Sequence, residues 1–157
     1  MARPDTARLD GVFPVLPTPF AADGAPDAAA LGRLVDFAVE AGVDGVVFPG
    51  MASEVETLTP AERAAMVAAL GTRLAGRKLF VVGASAPDAA QAAARIAEGV
   101  AAGAVAAMVM APHRLGQDAA AHTEFFKAIE KAAPGVALVL QNAPAPAGAG
   151  LAPDAVA

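Results

Sequence analysis

KLFVVGASAPDAAQAAARIAEGVAAGAVAAMVMAP, Lys78–Pro112, sets two short apolar runs on either side of one amphipathic stretch. Lys78–Ser85 and Ala106–Pro112 lack polar alternation, so each reads as a strand buried on both faces. Pro87–Val100 between them is rich in helix formers, and Gly103 is placed to stop the helix. Strand, helix and strand in this order make a right-handed βαβ unit of a parallel sheet.

The same alternation extends in both directions. Upstream, GVFPVLPTPF, Gly11–Phe20, reads as a short buried strand ending in a proline-fixed turn. Asp27–Glu40 follows as a helix with Leu31, Leu34, Val35 and Ala38 on one stripe and Gly42 suited to end it, and Val43–Gly50 is the second strand. Thr59-Pro60-Ala61-Glu62 is a helix start, with a Thr cap, Pro in the first turn and Glu placed to reach back, and the helix runs toward Gly71 or Gly76. Downstream, Asp118–Ala133 is a helix whose spacing buries Phe125, Phe126 and Ile129, and Val136–Pro144 is a fifth strand. A Pro/Gly/Ala loop then leads to Pro153-Asp154 as another helix start. No linker divides residues 1–157, and no internal duplication is visible, so a single domain is expected.

Composition excludes several functions. The chain is 56% hydrophobic, much of it alanine, and no uninterrupted apolar run approaches the roughly 18 residues of a membrane span, so no membrane partner is expected. MARPDTARLD at the start carries both signs of charge and no apolar signal core, which makes the cytoplasm the expected compartment. With no cysteine there is neither disulfide nor thiolate chemistry. A net charge of -5, with no Tyr or Trp to stack on bases, argues against nucleic acid. The two histidines are unpaired and have no carboxylate cluster, so no metal and no cofactor are expected.

Two α/β architectures fit this alternation. A doubly wound sheet of five strands suits the length, but no glycine-rich phosphate loop follows the first strand, where Thr18-Pro19-Phe20 stands instead. A (β/α)8 barrel needs about 250 residues, so the chain would be roughly half of one. In a barrel the functional groups lie at the C-terminal ends of the strands, which nominates Thr18, residues 50–54, Ser85, His113, Arg114, Gln141 and Asn142.

GVFPVLPTPF, VVFPGMASEVETLTPAER, VVGASAPDAAQAAARIAEGVAAGA and VLQNAPAPAGAGL, in this order and spacing, resemble the dihydrodipicolinate synthase and N-acetylneuraminate lyase family over nearly the whole chain. The resemblance implies a TIM barrel, usually an oligomer, that forms a Schiff base between a lysine and pyruvate or another 2-oxo acid. Only the N-terminal half of that pattern is matched. The expectation is therefore a single incomplete domain of about five βα units, without strands six to eight, in a protein that acts as a homo-oligomer.

The resemblance also assigns residues. Gly50, Met51, Ala52, Ser53 and Glu54 stand where the family carries a Gly-Thr-Thr-Gly-Glu stretch that holds the substrate carboxylate. The backbone amides of Met51 and Ala52 can still do so, although the two hydroxyls are gone; as an alternative, these side chains only pack on the rim. Glu54 is either a loop-bracing carboxylate or part of the site. Gln141 occupies the position of the catalytic tyrosine, with Asn142 and Pro144 keeping the frame; an amide can orient a group but cannot relay a proton as a phenol does. Alternatively, Gln141 only satisfies loop amides. Pro146 replaces an arginine that grips a second carboxylate. His113 and Arg114 replace an aromatic pair and are candidates for a proton donor and a carboxylate clamp, or else solvated or interface residues.

A Schiff-base lysine must be desolvated at the C-terminal mouth. Lys78 begins a strand and so sits at the opposite end, while Lys127 and Lys131 lie on the solvent side of a helix, as does His122 or in its packing. The resemblance implies that the lysine comes from the sixth strand, outside this chain. The expected function is the N-terminal part of a class I aldolase-type lyase, inactive alone; the alternative is a noncatalytic family member that binds a small acid or a protein partner.

Overall fold

The structure, a computed structural model, describes residues 9–144, 146–148 and 150–156. Residues 1–8, most of the stretch read for a signal, lie outside the described residues, as do Ala145, Ala149 and Ala157. Strands β1 (Gly45–Phe48), β2 (Leu79–Gly83), β3 (Ala106–Met110) and β4 (Ala137–Gln141) alternate with helices α1 (Ala28–Glu40), α2 (Pro60–Leu74), α3 (Ala89–Ala101) and α4 (Ala119–Ala132), and a short α5 covers Pro153–Val156.

Every strand pair is parallel, and the order across the sheet is β1-β2-β3-β4, which follows the chain. A doubly wound sheet reverses its order at a switch point so that helices cover both faces. Here there is no reversal, and α1 packs on α2, α2 on α3 and α3 on α4. The winding is that of a (β/α)8 barrel, and the doubly wound alternative falls.

The first of the five expected strands is extended but not a regular strand. Residues 12–16 run beside β1 through a parallel bridge between Val15 and Val47, with Leu16 N–H donating to Val47 O at 3.1 Å and Val47 N–H to Pro14 O at 2.9 Å. Pro14, Pro17 and Pro19 have no N–H to give, so a continuous ladder cannot form.

Local chemistry fixes each helix start. Asp27 accepts from Ala30 N–H at 2.9 Å, Asp88 from Gln91 N–H at 2.8 Å, and Asp118 from Ala120 and Ala121 N–H at 3.0 and 3.1 Å. At α2, Thr59 and Glu62 form the expected reciprocal capping box. This helix passes Gly71 and ends at Leu74; at Gly71 a Cβ would lie 2.1 Å from Ala102 O, at the cap of α3, so glycine there serves close packing. Ala75 and Gly76, at φ 46° and 74°, turn the chain away.

Alternate residues of the strands face two different cores. Val46, Phe48, Phe80, Val82, Ala107 and Val109 pack under the helices against Leu31, Val35, Leu70, Ile96 and Ile129. Val47, Val81 and Ala106 face the barrel interior with Phe13, Val15, Met108 and Ala137. Phe125 is buried as the spacing of α4 predicts, edge-on to Phe126, but Phe126 is only half-buried. It lines a groove of about 960 Å3 between α4, β4 and α5.

Candidate functional site

Sheet register places the candidates on one level. Val47, Val81, Ala106 and Ala137 are successive cross-strand partners on the interior face. Counting on by two residues twice leads to Met110 and Gln141, which end β3 and β4, and to Ser85 just past β2; Met51, in the turn after β1, joins them by contact. Contacts agree with the count. Met110 pairs with Gln141, Met110 N–H donates to Ser85 Oγ at 2.9 Å, and Gln141 Nε2 lies 3.8 Å from Met51 Sδ. The last contact joins the end of one outer strand to the loop after the other, so the sheet curves as a barrel wall does.

The loop after β1 is braced from below. Met51–Ser53 form one 3-10 turn and Val55–Thr57 another, with Glu54 between them at φ 54°. Ser53 is fully buried; its Oγ accepts from Gly50 N–H at 2.8 Å and donates to Leu16 O. Thr18 is buried too and donates to Ser53 O at 2.6 Å. Gly50 therefore spends its amide inside the loop, and it is needed for closeness: a Cβ would stand 2.8 Å from Val15 Cγ1. The N–H groups of Met51 and Ala52 open the turn and have no acceptor among the described residues. They are the free donors of the first turn, as the N–H groups of Val55 and Glu56 are of the second.

The remaining candidates scatter around this centre. Arg114 lies in a 3-10 turn after β3 and donates to Pro87 O at 2.9 and 3.2 Å, which keeps it on the rim. His113 beside it is exposed, and no hydrogen bond among the described residues ties it to Met51 or Gln141. Asn142 holds the loop after β4, donating to Leu151 O and accepting from Leu151 N–H, both at 2.9 Å. The Glu54 carboxylate is exposed. His122 is buried in α4 with Nε2 2.9 Å from Gly116 O, a packing role.

Ser53, nominated with residues 50–54 for the mouth, instead knots the loop from below. One residue escaped the sequence reading. Arg63 is 4% exposed, donates to Gly83 O at 2.7 Å and pairs with Glu98 at 2.5 Å. Burial pushes its guanidinium below the usual arginine value, and Glu98 pulls it back up. The signal was present: Arg63 falls on the apolar stripe of α2 with Met66, Val67, Leu70 and Leu74.

A parallel sheet wound in chain order, with its helices in sequence and its polar candidates at the C-terminal mouth, is the N-terminal part of a TIM barrel. The chain belongs to the dihydrodipicolinate synthetase family, whose model matches residues 8–157. It is similar to the 4-hydroxy-tetrahydrodipicolinate synthase of Stenotrophomonas maltophilia strain K279a, at 33% identity over 149 residues, 95% of this chain and 50% of that one. Dihydrodipicolinate synthase from Rhodopseudomonas palustris superposes with a TM-score of 0.87 at 30% identity, over 99% of this chain and 51% of that one. YagE, a prophage protein of the dihydrodipicolinic acid synthase family from E. coli K12 solved in complex with pyruvate, gives a TM-score of 0.78 at 26% identity, over 91% of this chain and 47% of that one. The chain spans about half the length of the curated relatives it matches. Among the described residues no helix is long and apolar enough to cross a membrane, and no group of three or more His, Asp or Glu could hold a metal.

Proposed function

We propose that the chain is the N-terminal part of a lyase of the aldolase type that acts on pyruvate or another 2-oxo acid through a lysine Schiff base. The open N–H pair of Met51 and Ala52 at the mouth carries this reading. Backbone donors held in place by Ser53 and Thr18 suit a carboxylate, since they need no reorganisation when it arrives. Gln141 reaches the same spot and can orient a bound acid or a water, but it has no proton to relay. The chemistry needs a neutral amine at this mouth. Lys78 precedes β2 at the far end of the sheet, while Lys127, paired with Glu124 at 3.1 Å, and Lys131 are exposed on α4. The nucleophile therefore belongs to a part of the protein outside these residues, and the chain alone is inactive. A homo-oligomer is part of this reading, as the family resemblance implies.

Borohydride reduction with pyruvate should leave the chain unlabelled by mass spectrometry, while pyruvate shifts the amide resonances of Met51 and Ala52. A covalent adduct would overturn the inactivity, and unmoved amides would overturn the carboxylate site. The contact between Gln141 and Met51 favours a second reading, a family member that binds a small acid without turning it over, because no titratable side chain shares that contact. A longer version of the chain without a lysine at the end of its sixth strand would decide for it.

A further inference from the structure

Three arginines from three successive βα units hold one loop. Arg63 on α2 donates to Gly83 O at 2.7 Å, Arg95 on α3 to Ser85 O, and Arg114 after β3 to Pro87 O at 2.9 Å. Alternate carbonyls of residues 83–87 thus each meet a guanidinium, and the first of these is buried and cannot swing out to water. The start of the loop also presses on the neighbouring one: a Cβ on Gly83 would lie 1.7 Å from Pro49 O, one residue before Gly50. So much anchoring on a five-residue connection fixes where its one side-chain hydroxyl stands.

That hydroxyl is Ser85, on the level of Met51, Met110 and Gln141 and half-buried. Its Oγ accepts from Met110 N–H at 2.9 Å, which orients the oxygen. Its own proton has no acceptor among the described residues. We propose that Ser85 is a further ligand contact of this mouth, donating its proton to the 2-oxo oxygen of an acid whose carboxylate lies on the Met51 and Ala52 amides. The inference rests on the carboxylate reading above and adds to it the group that tells a 2-oxo acid from a plain one. A hydroxyl donor polarises the carbonyl without forming or breaking a covalent bond, and Arg63, Arg95 and Arg114 are positioning residues for it.

Titration of the chain with pyruvate and with propionate, which lacks the oxo oxygen, tests this by amide shifts of Met51 and Ala52. The unmodified chain should prefer pyruvate. Ser85→Ala should weaken pyruvate by about five- to tenfold, the worth of one hydrogen bond, and leave propionate unchanged. Ser85→Thr keeps the hydroxyl and should keep the preference. Should Ser85→Ala fail to fold, Ser85→Cys, close in volume but a poor donor, should show the same loss. If the alanine or cysteine variant still prefers pyruvate, Ser85 only ties β2 to β3 and the inference is overturned while the carboxylate site stands. If neither acid moves the Met51 and Ala52 amides of the unmodified chain, both fall together.

Discussion

β1 and β4 flank the same sheet, are almost equally long and are almost equally apolar, yet they live in opposite surroundings. All four residues of β1 are buried, with α1 and α2 on one face and the irregular segment 12–16 along its outer edge. No residue of β4 is fully buried, and Val139 and Leu140 are 37% and 51% exposed. The chain spans about half the length of its relatives, so the contrast marks which strand these residues cover. On the β1 side the proline-broken segment supplies that cover, bonding through Val12, Pro14 and Leu16 to Asp44, Gly45 and Val47.

The largest test of this contrast is a pair of truncations. Phe48→Ala on β1 empties a fully buried position and should cost about 3–5 kcal/mol in urea unfolding. Leu140→Ala on β4 should stay within about 0.5 kcal/mol, as for a surface site. A cost for Leu140→Ala close to that of Phe48→Ala, growing with protein concentration, would show that a second copy covers β4 in solution and would break the contrast.

A smaller effect sharpens the role of the 12–16 cover. Gly45 begins β1 with the ring of Phe13 against it, and a Cβ there would sit 2.2 Å from Phe13 Cε1 and 2.8 Å from Leu79 O. Gly45→Ala should cost about 1–3 kcal/mol and speed amide exchange of Val47, whose N–H bonds to Pro14 O. Stability lost without faster exchange at Val47 would place the strain on β2 instead.

Much of the molecule could be read before any coordinates. The four helices, the threonine cap of α2 and strands β1 to β4 follow from local signals, because caps and periodicity act within a few residues. The motif frame at residues 50–54 and 141–144 pointed to one mouth, and Met51 and Gln141 do meet there. The irregular first segment was harder to see: its apolar run says strand, and only the count of three prolines says that the ladder will not close. Arg63, and the bracing role of Ser53, were missed for another reason. Leu16 O, Gly83 O and Glu98 are brought to them by the winding of the sheet, and only the unusual place of an arginine on an apolar stripe hinted at one of them.

The smallest effect comes from charge behind β1. Asp36 on α1 accepts from Arg73 Nε at 2.9 and 3.0 Å and from Arg77 Nη2 at 2.9 Å, tying α1 to α2. The hydrogen bond from Arg73, then that from Arg77, holds its carboxyl below the ordinary value of 3.8. The Thr59 hydroxyl, then its amide, does the same for Glu62, below 4.5. A carboxyl lowered in the folded state stabilises the fold above its unfolded value, and that contribution is lost as pH falls through the folded one. The urea midpoint should therefore fall as pH drops below about 4, where free carboxyls begin to protonate. Asp36→Asn should flatten that fall slightly, and because both groups are only half-buried, added salt should shrink the difference between the two proteins. On the β4 side the corresponding helix, α4, shows one ion pair among the described residues, Lys127 with Glu124, both exposed. An acid profile unchanged by Asp36→Asn would mean that the α1–α2 clamp adds nothing to the cover over β1, and that apolar packing alone separates the two strands.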